Sequence, residues 1–337
     1  MRKVGKIRDV AKEAGLSIAT VSRVVNDSAN VNPHTRERVL SACRKLDYIP
    51  NPAARALSTK RSRTIAAIIP TIEHSVFAKY VAAIEQALSE CDYSLVMAIS
   101  NADETEELKA AQQLLRMGAE AFILTGSVHS DELFEMFERR KVPHILTSIW
   151  DPKNKSVTIG YDNFSLAAQA IGFLISFGHE RIAVIHGPLA ESDRTEARKA
   201  GAAAEGKEGI TVEFHETALS VAGGKQAAAS ILQSGRRHTA ILCFSDVLAL
   251  GAYFALSEAG LRIPHEVSVM GFDNLDWSEH VIPPLTTIDL PARQMGSEVA
   301  SQLVDHLENS QLIRHTLLSG KIIKRQSVRR IQTKTAP

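Results

Sequence analysis

Ile18, Ala19, Thr20, Ser22 and Arg23 are the residues of this 337-residue chain best suited to meet a nucleic acid. They fall on one side of a short stretch that also carries Val21 and Val24. An arginine can read guanine with two hydrogen bonds, and the first turn of a helix can reach base edges in the major groove. The stretch begins after Ser17, a residue type suited to cap a helix. A second set of reactive side chains lies much further along. Thr71, Ser75 and Phe77, Ser100-Asn101, Thr125, Ser148, Trp150, Tyr161-Asp162-Asn163, Ser245-Asp246, Asp273-Asn274 and Trp277 stand at or just after short apolar runs. Hydroxyls, amides and carboxylates with a few aromatic rings suit a polyhydroxylated ligand. The polar groups pair its hydroxyls and a ring covers its C–H face. Taken singly, a Ser or Asp at such a place more often caps a helix, and Asp162 and Asp246 are open to that reading.

The first set needs two helices joined by a tight turn. Ile7, Val10, Ala11 and Ala14 recur at i, i+3, i+4, i+7 and mark a helix over about 7–14. Gly15 tolerates the positive φ that ends it. A second helix over 18–26 buries Val21 and either Val24 or Val25. Asn32-Pro33 announces a third, with Val39, Leu40, Cys43 and Leu46 expected on its apolar face. Residues 51–58 could form about two further turns, with Asn51 as cap. That is well below the roughly 12–15 residues at which isolated helices become marginal in water. Such a segment needs something packed on it, and an exposed Leu57 could wedge between base pairs in a minor groove.

The second set needs strands alternating with helices. Strands are expected at 65–70, 93–99, 121–125, 144–147, 157–159, 182–186, 240–244 and 267–271. That alternation implies βαβ units and parallel sheets, and the run is too long for one sheet of ordinary size. Two similar α/β subdomains facing across a cleft are the simplest solution. Ligands bind beyond the carboxyl ends of such strands.

Charge separates the two parts. Residues 1–63 hold fourteen Lys and Arg against five Asp and Glu, a net +9; the chain is +1 overall, so the remainder carries −8. A basic head on an acidic body is expected if the head neutralises phosphates and the body does not. No apolar run approaches a membrane span, and no secretory signal follows Met1-Arg2-Lys3. Cys43, Cys91 and Cys243 are odd in number and widely spaced, which favours a reducing cytoplasm over a disulfide frame. No metal site and no cofactor are expected. A hydrolase elbow, a Walker loop, a dinucleotide fingerprint and a zinc-protease motif are all missing, which weighs against an enzyme.

Residues 7–58 resemble the DNA-binding head and hinge helix of the lactose/galactose repressor (LacI/GalR) family, through D-V-A-K-E-A-G-x-S-x-x-T-V-S-R-V-V-N and Y-I-P-N-x-x-A-R-x-L. The resemblance implies that Ile18, Ala19 and Arg23 read the major groove. It makes Ser17, Thr20, Ser22, Asn26 and Thr35 backbone or mixed contacts. Leu57 becomes a minor-groove lever in a hinge that also holds Asn51 and Ala54. Further on, G-H-E-R-I-A-V-I-H-G-P-L (178–189), S-D-V-L-A-L-G-A (245–252), G-L-R-I-P-H-E-V-S-V-M-G-F-D (260–273) and P-P-L-T-T-I (283–288) are similar to the family's effector core, a periplasmic-binding-protein-like fold of two Rossmann-like subdomains. The same resemblance makes Arg198 and Asp273 effector-binding residues. Ala202 departs from the usual aromatic after R-x-x-G, and Ser245 and Ser148 stand where sugar-binding members carry Asn and Asp. I-L-T-x-x-x-H (123–129) and I-G-Y-D-N-F (159–164) resemble gluconate-type repressors, which implies a sugar or sugar-acid effector.

The expected organisation is therefore a helix-turn-helix head over 1–49, a hinge helix and linker over 50–63, a core over 64–331 and a tail over 332–337. Within the core, one subdomain takes about 64–161 and 291–319, and the other about 162–290 and 320–331. The expected partners are double-stranded operator DNA, a small-molecule effector and a second copy of the chain. The tail has no heptads, so a homodimer is favoured over a coiled-coil tetramer. The competing readings are a sugar-binding protein and a sugar-acting enzyme, each without a DNA role.

Overall fold

A computed structural model describes residues 5–25, 31–49, 56, 61–72 and 75–331. It divides into two compact units, 1–63 and 64–337.

In the head, α1 (Ile7–Ala14), α2 (Ile18–Val25) and α3 (Pro33–Lys45) enclose a small core. Val10, Ala11, Ala14, Val21, Val24, Val39 and Ala42 fill it. Gly15 adopts φ 61° and turns the chain between α1 and α2. Ser17 Oγ accepts the Thr20 N–H at 3.1 Å, and Asn32 Oδ1 accepts the His34 N–H at 2.8 Å. Arg38 ties α3 to the end of α1 by donating from Nη2 to the Ala14 carbonyl at 2.6 Å. Leu40 corrects the expected third-helix face: it is exposed, because 39, 42, 43 and 46 form the i, i+3, i+4, i+7 stripe and position 40 lies beside it.

The second unit contains two six-stranded sheets of matching order. The first has β1 (Thr64–Ile69), β2 (Ser94–Ile99), β3 (Ala121–Thr125), β4 (His144–Thr147), β5 (Val157–Gly160) and the short β11 (Thr316–Leu317), in the order β11-β5-β4-β3-β1-β2. The second has β6 (Arg181–His186), β7 (Thr211–Glu216), β8 (Ala240–Cys243), β9 (Ser268–Phe272), β10 (Thr286–Asp289) and β12 (Lys321–Ile323), in the order β12-β10-β9-β8-β6-β7. All pairings are parallel except that of β10 with β12.

The core follows the two-residue alternation of strands. In the first lobe Ile65 and Ala67 face α4 (Ser75–Ser89) and α11 (Ala292–Asn309), through Tyr80, Ile84, Val299 and Leu303. Ala66 and Ile68 face α5 (Glu104–Arg116) and α6 (Asp131–Arg140), through Leu114, Leu133 and Phe137. In the second lobe Ile182 and Val184 meet α7 (Asn163–Ser176) and α8 (Asp193–Ala204). Ala183 and Ile185 meet α9 (Val221–Gln233) and α10 (Asp246–Glu258). Both faces of each sheet are covered, which is why these strands read as continuous apolar runs.

Strands β7, β10, β11 and β12 add to the eight expected from sequence. Their residues are polar or few: β7 is Thr-Val-Glu-Phe-His-Glu, and β10 begins with two threonines. The chain passes from one sheet to the other three times, after β5, after β10 and after β11. The passages lie side by side. Leu318 N–H donates to the Gly160 carbonyl at 2.7 Å, and a side chain at Gly320 would press on the Asp289 carbonyl.

Candidate functional site

The head presents the second helix as a surface. Ser17, Ile18, Ala19 and Arg23 are exposed, with Ile18 46% accessible, while Thr20, Ser22 and Thr35 are half-buried. Ile18 is open on a helix that buries Val21 and Val24. Asn26, Asn51, Ala54 and Leu57 lie outside the described residues, as do most of the expected hinge and the tail.

In the second unit a cavity of about 470 Å³ opens between the lobes at the carboxyl ends of their strands. Thr71, Phe77 and Ser148 wall it from the first lobe, Arg198, Ser245 and Asp273 from the second, and Tyr161 at the passage between them. Ligand sites in doubly wound sheets occur at this position, where neighbouring strand connections diverge to opposite faces.

Arg198 is the centre of the polar wall. It is only 8% exposed, on α8, a helix capped by Ser192 Oγ, which accepts the Thr195 N–H at 3.2 Å. Its Nε donates to Asn163 Oδ1 at 2.9 Å and its Nη1 to the Phe244 carbonyl at 2.8 Å. The guanidinium lies 4.1 Å from the centre of the Phe272 ring. Burial lowers the Arg198 pKa, and the neighbouring Tyr161 and Asp273 oppose that shift. Asn163 in turn donates from Nδ2 to the Ser148 carbonyl at 2.9 Å. Gly201 lets α8 come this close to α7, since any side chain there would collide with the Phe164 backbone.

Asp273 supplies the opposite charge. Its Oδ2 accepts from Ser245 Oγ at 2.9 Å. Burial raises its pKa to about 6, against the pull of Arg198. A carboxylate beside a planar guanidinium can accept one hydroxyl of a diol while the arginine donates to the other. The rim is conformationally unusual: Asn101, Ala102, Ser148 and Asp273 all have positive φ, 52°, 57°, 66° and 111°, and all line the cavity. Such strain concentrates where a fold over-determines the backbone around a ligand site.

Among the described residues, eight of the expected ones are not in the cavity wall: Ser100, Thr125, Trp150, Asp162, Asn163, Asp246, Asn274 and Trp277. Asp162 caps α7, accepting the Ser165 N–H at 2.9 Å and Ser165 Oγ at 2.6 Å. Asp246 is fully buried and spends its oxygens on Thr287 Oγ1 at 2.6 Å and the Leu275 N–H at 2.8 Å. Burial, and then the charge of Asp273, raise its pKa to about 7. Gly271 makes room for that carboxylate, because a side chain there would overlap it. Trp277 packs on the hydrophobic cluster of α9 and α10. Thr125 lines a separate cavity of about 300 Å³. The side chain of Ser75 lies outside the described residues.

The cavity also holds residues that sequence reasoning passed over. Arg194 and Thr195 precede Arg198 on α8, and Arg194 is one turn from it on the same face, a spacing that could have drawn attention. Tyr80 and Met295 look like ordinary core residues of α4 and α11 and carry no such mark.

Among the described residues no cluster of His, Cys, Asp or Glu could hold a metal ion, and no helix is long and apolar enough to cross a membrane.

Comparison with known proteins follows the same division. Residues 6–51 match the profile of bacterial regulatory proteins of the lacI family. Residues 62–326 match that of periplasmic binding proteins and the sugar-binding domain of the LacI family. The catabolite control protein A of Priestia megaterium is 31% identical over 331 residues, covering 96% of this chain and 99% of that protein. The crystal structure of the lac repressor dimer bound to operator and an anti-inducer superposes with a TM-score of 0.86 at 29% identity, covering 97% of this chain and all of that one. A LacI family regulator from Enterococcus faecium with bound ribose gives 0.70 at 26% identity, covering 80% of this chain and 100% of that one. With both of its units matched in order and a relative aligned over nearly its whole length, the chain belongs to the LacI family of bacterial regulatory proteins.

Proposed function

We propose that this regulator is a repressor of genes for the use of a sugar or sugar acid, released or recruited by a small ligand in the inter-lobe cavity. The observation that carries the reading is the buried set of Arg198, Asp273 and Ser245 in a cavity between lobes, in a chain whose head is strongly basic. Arg198 and Asp273 pair with ligand hydroxyls, Tyr161 and Phe77 cover its apolar face, and Ser148 contacts it from the first lobe. In the head, Ile18, Ala19 and Arg23 read base edges, while Ser17, Thr20, Ser22 and Thr35 grip the backbone. Asn51, Ala54 and Leu57 add contacts to the DNA, with Leu57 at the minor groove. The chain works as a homodimer on a near-palindromic operator. Met97 and Ile99, 43% exposed each on the open edge strand β2, supply apolar surface for the second copy.

A ligand can shift this system only by its different affinity for two lobe arrangements. The testing experiment is selection of genomic fragments bound by the full chain, followed by a screen of sugars and sugar acids for release of the recovered fragment. The reading requires a discrete set of fragments next to sugar-metabolism genes and at least one compound that alters binding. Recovery of no specific fragment would overturn it.

A further inference from the structure

Two polar links cross the cleft outside the cavity. On one flank Asp193, the first residue of α8, accepts from the Ser127 N–H at 2.6 Å and from Ser127 Oγ at 2.7 Å. Ser127 lies in the loop after β3, in the first lobe. The other oxygen of the same carboxylate accepts from the Arg194 N–H at 2.8 Å and from Arg194 Nη1 at 2.7 Å. The Ser127 loop is braced from behind: His129 Nδ1 lies 2.8 Å from Glu107 Oε2, and its Nε2 lies 3.2 Å from the Gly126 carbonyl.

On the other flank Lys79 of α4 donates to the Asn274 carbonyl at 3.0 Å and pairs with Asp276 at 2.7 Å. Asp276 is largely exposed, so the carbonyl contact carries more of the link. Asn274 belongs to the positive-φ turn that bears Asp273, and the second lobe holds it firmly. Arg325 Nη2 donates to Asn274 Oδ1 at 2.8 Å, and Asn274 Nδ2 donates to Asp289 Oδ1 at 2.9 Å.

The two links share a design. Each starts on a first-lobe residue and ends beside a cavity-lining residue of the second lobe, Arg194 in one case and Asp273 in the other. Ser127, Asp193 and Lys79 are not themselves part of the cavity wall.

We propose that Asp193 and Lys79 are positioning residues that hold the lobes together and fix Arg194 and the Asp273 turn. A hydrogen bond to a charged group shifts an equilibrium by roughly tenfold or more, so two of them can decide which of two lobe arrangements is populated. The proposal rests on the effector reading only for the purpose of the cavity. The links lie within the chain and are tested without DNA or effector.

The test is an inter-lobe distance in the full-length protein. Spin labels are placed at Arg140→Cys, at the end of α6, and Gln233→Cys, at the end of α9, both exposed. The background is Cys91→Ser, and labelled chain is diluted into unlabelled chain so that only distances within one copy are read. The parent is expected to give one narrow distance. Asp193→Ala with Lys79→Ala should give a longer, broader distribution in which the opened form is at least half of the molecules. Lys79→Arg, which keeps a donor, should restore the parent distance when Asp193 is intact. A double variant that melts cooperatively and keeps the parent distribution would overturn the proposal. If the double variant does not fold, Lys79→Met alone, which removes the donor to the Asn274 carbonyl and keeps an unbranched side chain, must still lengthen the distance. An unchanged distance in that variant is equally fatal. Failure here leaves the repressor reading standing, because neither DNA nor ligand enters the measurement.

Discussion

Arg198 Nε donates to Asn163 Oδ1 at 2.9 Å, and through that amide the arginine is tied to Ser148 in the other lobe. The amide accepts from the guanidinium through its oxygen and donates to the carbonyl through its nitrogen at once. Asn163→Asp keeps the acceptor and loses the donor, whereas Asn163→Ala loses both. Asn163→Ala should cost about 1–3 kcal/mol of stability and at least tenfold in effector affinity, with Asn163→Asp intermediate in stability. Urea denaturation and ligand-induced thermal shifts measure the two effects. Equal stability of all three proteins would contradict the role given to this amide.

Arg198→Ala should abolish the response to effector while leaving DNA affinity near the parent value. The side chain touches Asn163, Phe244 and Phe272, all in the core unit. Gel-shift titration with and without the effector is the measurement. A surviving response would place the ligand elsewhere.

Asp273 and Asp246 make stability depend on pH. Both folded-state pKa values are raised by burial, to about 6 and about 7, and the two charges oppose one another. A raised carboxyl pKa means that the folded chain binds the proton more tightly than the unfolded chain. The stabilising contribution is therefore complete below about pH 4 and is lost as pH rises through 6 to 7. Relative to Asp273→Asn, the parent should lose roughly 2 kcal/mol between pH 4 and 7. Chemical denaturation of both proteins across that range gives the difference, and parallel curves would refute it.

Gly201→Ala should be strongly destabilising, by about 2–3 kcal/mol, because a methyl group there meets the Phe164 backbone where α7 and α8 cross. The crossing also places Asn163 under Arg198, so effector affinity should fall together with the melting temperature. Gly209→Ala is an informative control: no atom lies near its added carbon, and only its φ of 85° resists the change.

In the head, Ser17→Ala removes the acceptor for the Thr20 N–H and should cost about 1 kcal/mol in unfolding. Arg23→Ala should leave the fold unchanged and weaken specific DNA binding by about 1–3 kcal/mol, since its side chain is exposed on α2. A head variant that lost DNA affinity only through unfolding would show both effects together.

The head and the two-lobed architecture were legible in the sequence because both rest on periodicity. The stripe of Val10, Ala11 and Ala14 and the apolar strands each repeat at their own spacing. Strand β10 escaped because its burial is polar: Thr287 is wholly enclosed yet satisfied by Asp246. Asp273 was marked by its place after a strand and again by resemblance, whereas Arg198 was found through resemblance alone, since a helix arginine in sequence looks like a solvated charge. Asp162 and Asp246 show the opposite limit. Each follows a strand, as a ligand-binding residue would, but the oxygens of Asp162 are taken by Ser165 in its own helix and those of Asp246 by Leu275 and Thr287, distant in sequence. Tyr80 and Met295 were invisible because an apolar wall and an apolar core are made of the same residue types.

The three side-by-side passages between the sheets constrain how this molecule can move. Joined by a single strand of chain, two bodies can swivel freely; joined by three adjacent strands, they can fold toward one another but resist twisting and sliding. The Leu318–Gly160 hydrogen bond stitches two of those strands together. Neither lobe is continuous in sequence, so cutting any one passage leaves the bodies tethered by the other two. The protein thus behaves as a book with a triple-sewn spine, and what a bound ligand can report to the rest of the molecule is one angle.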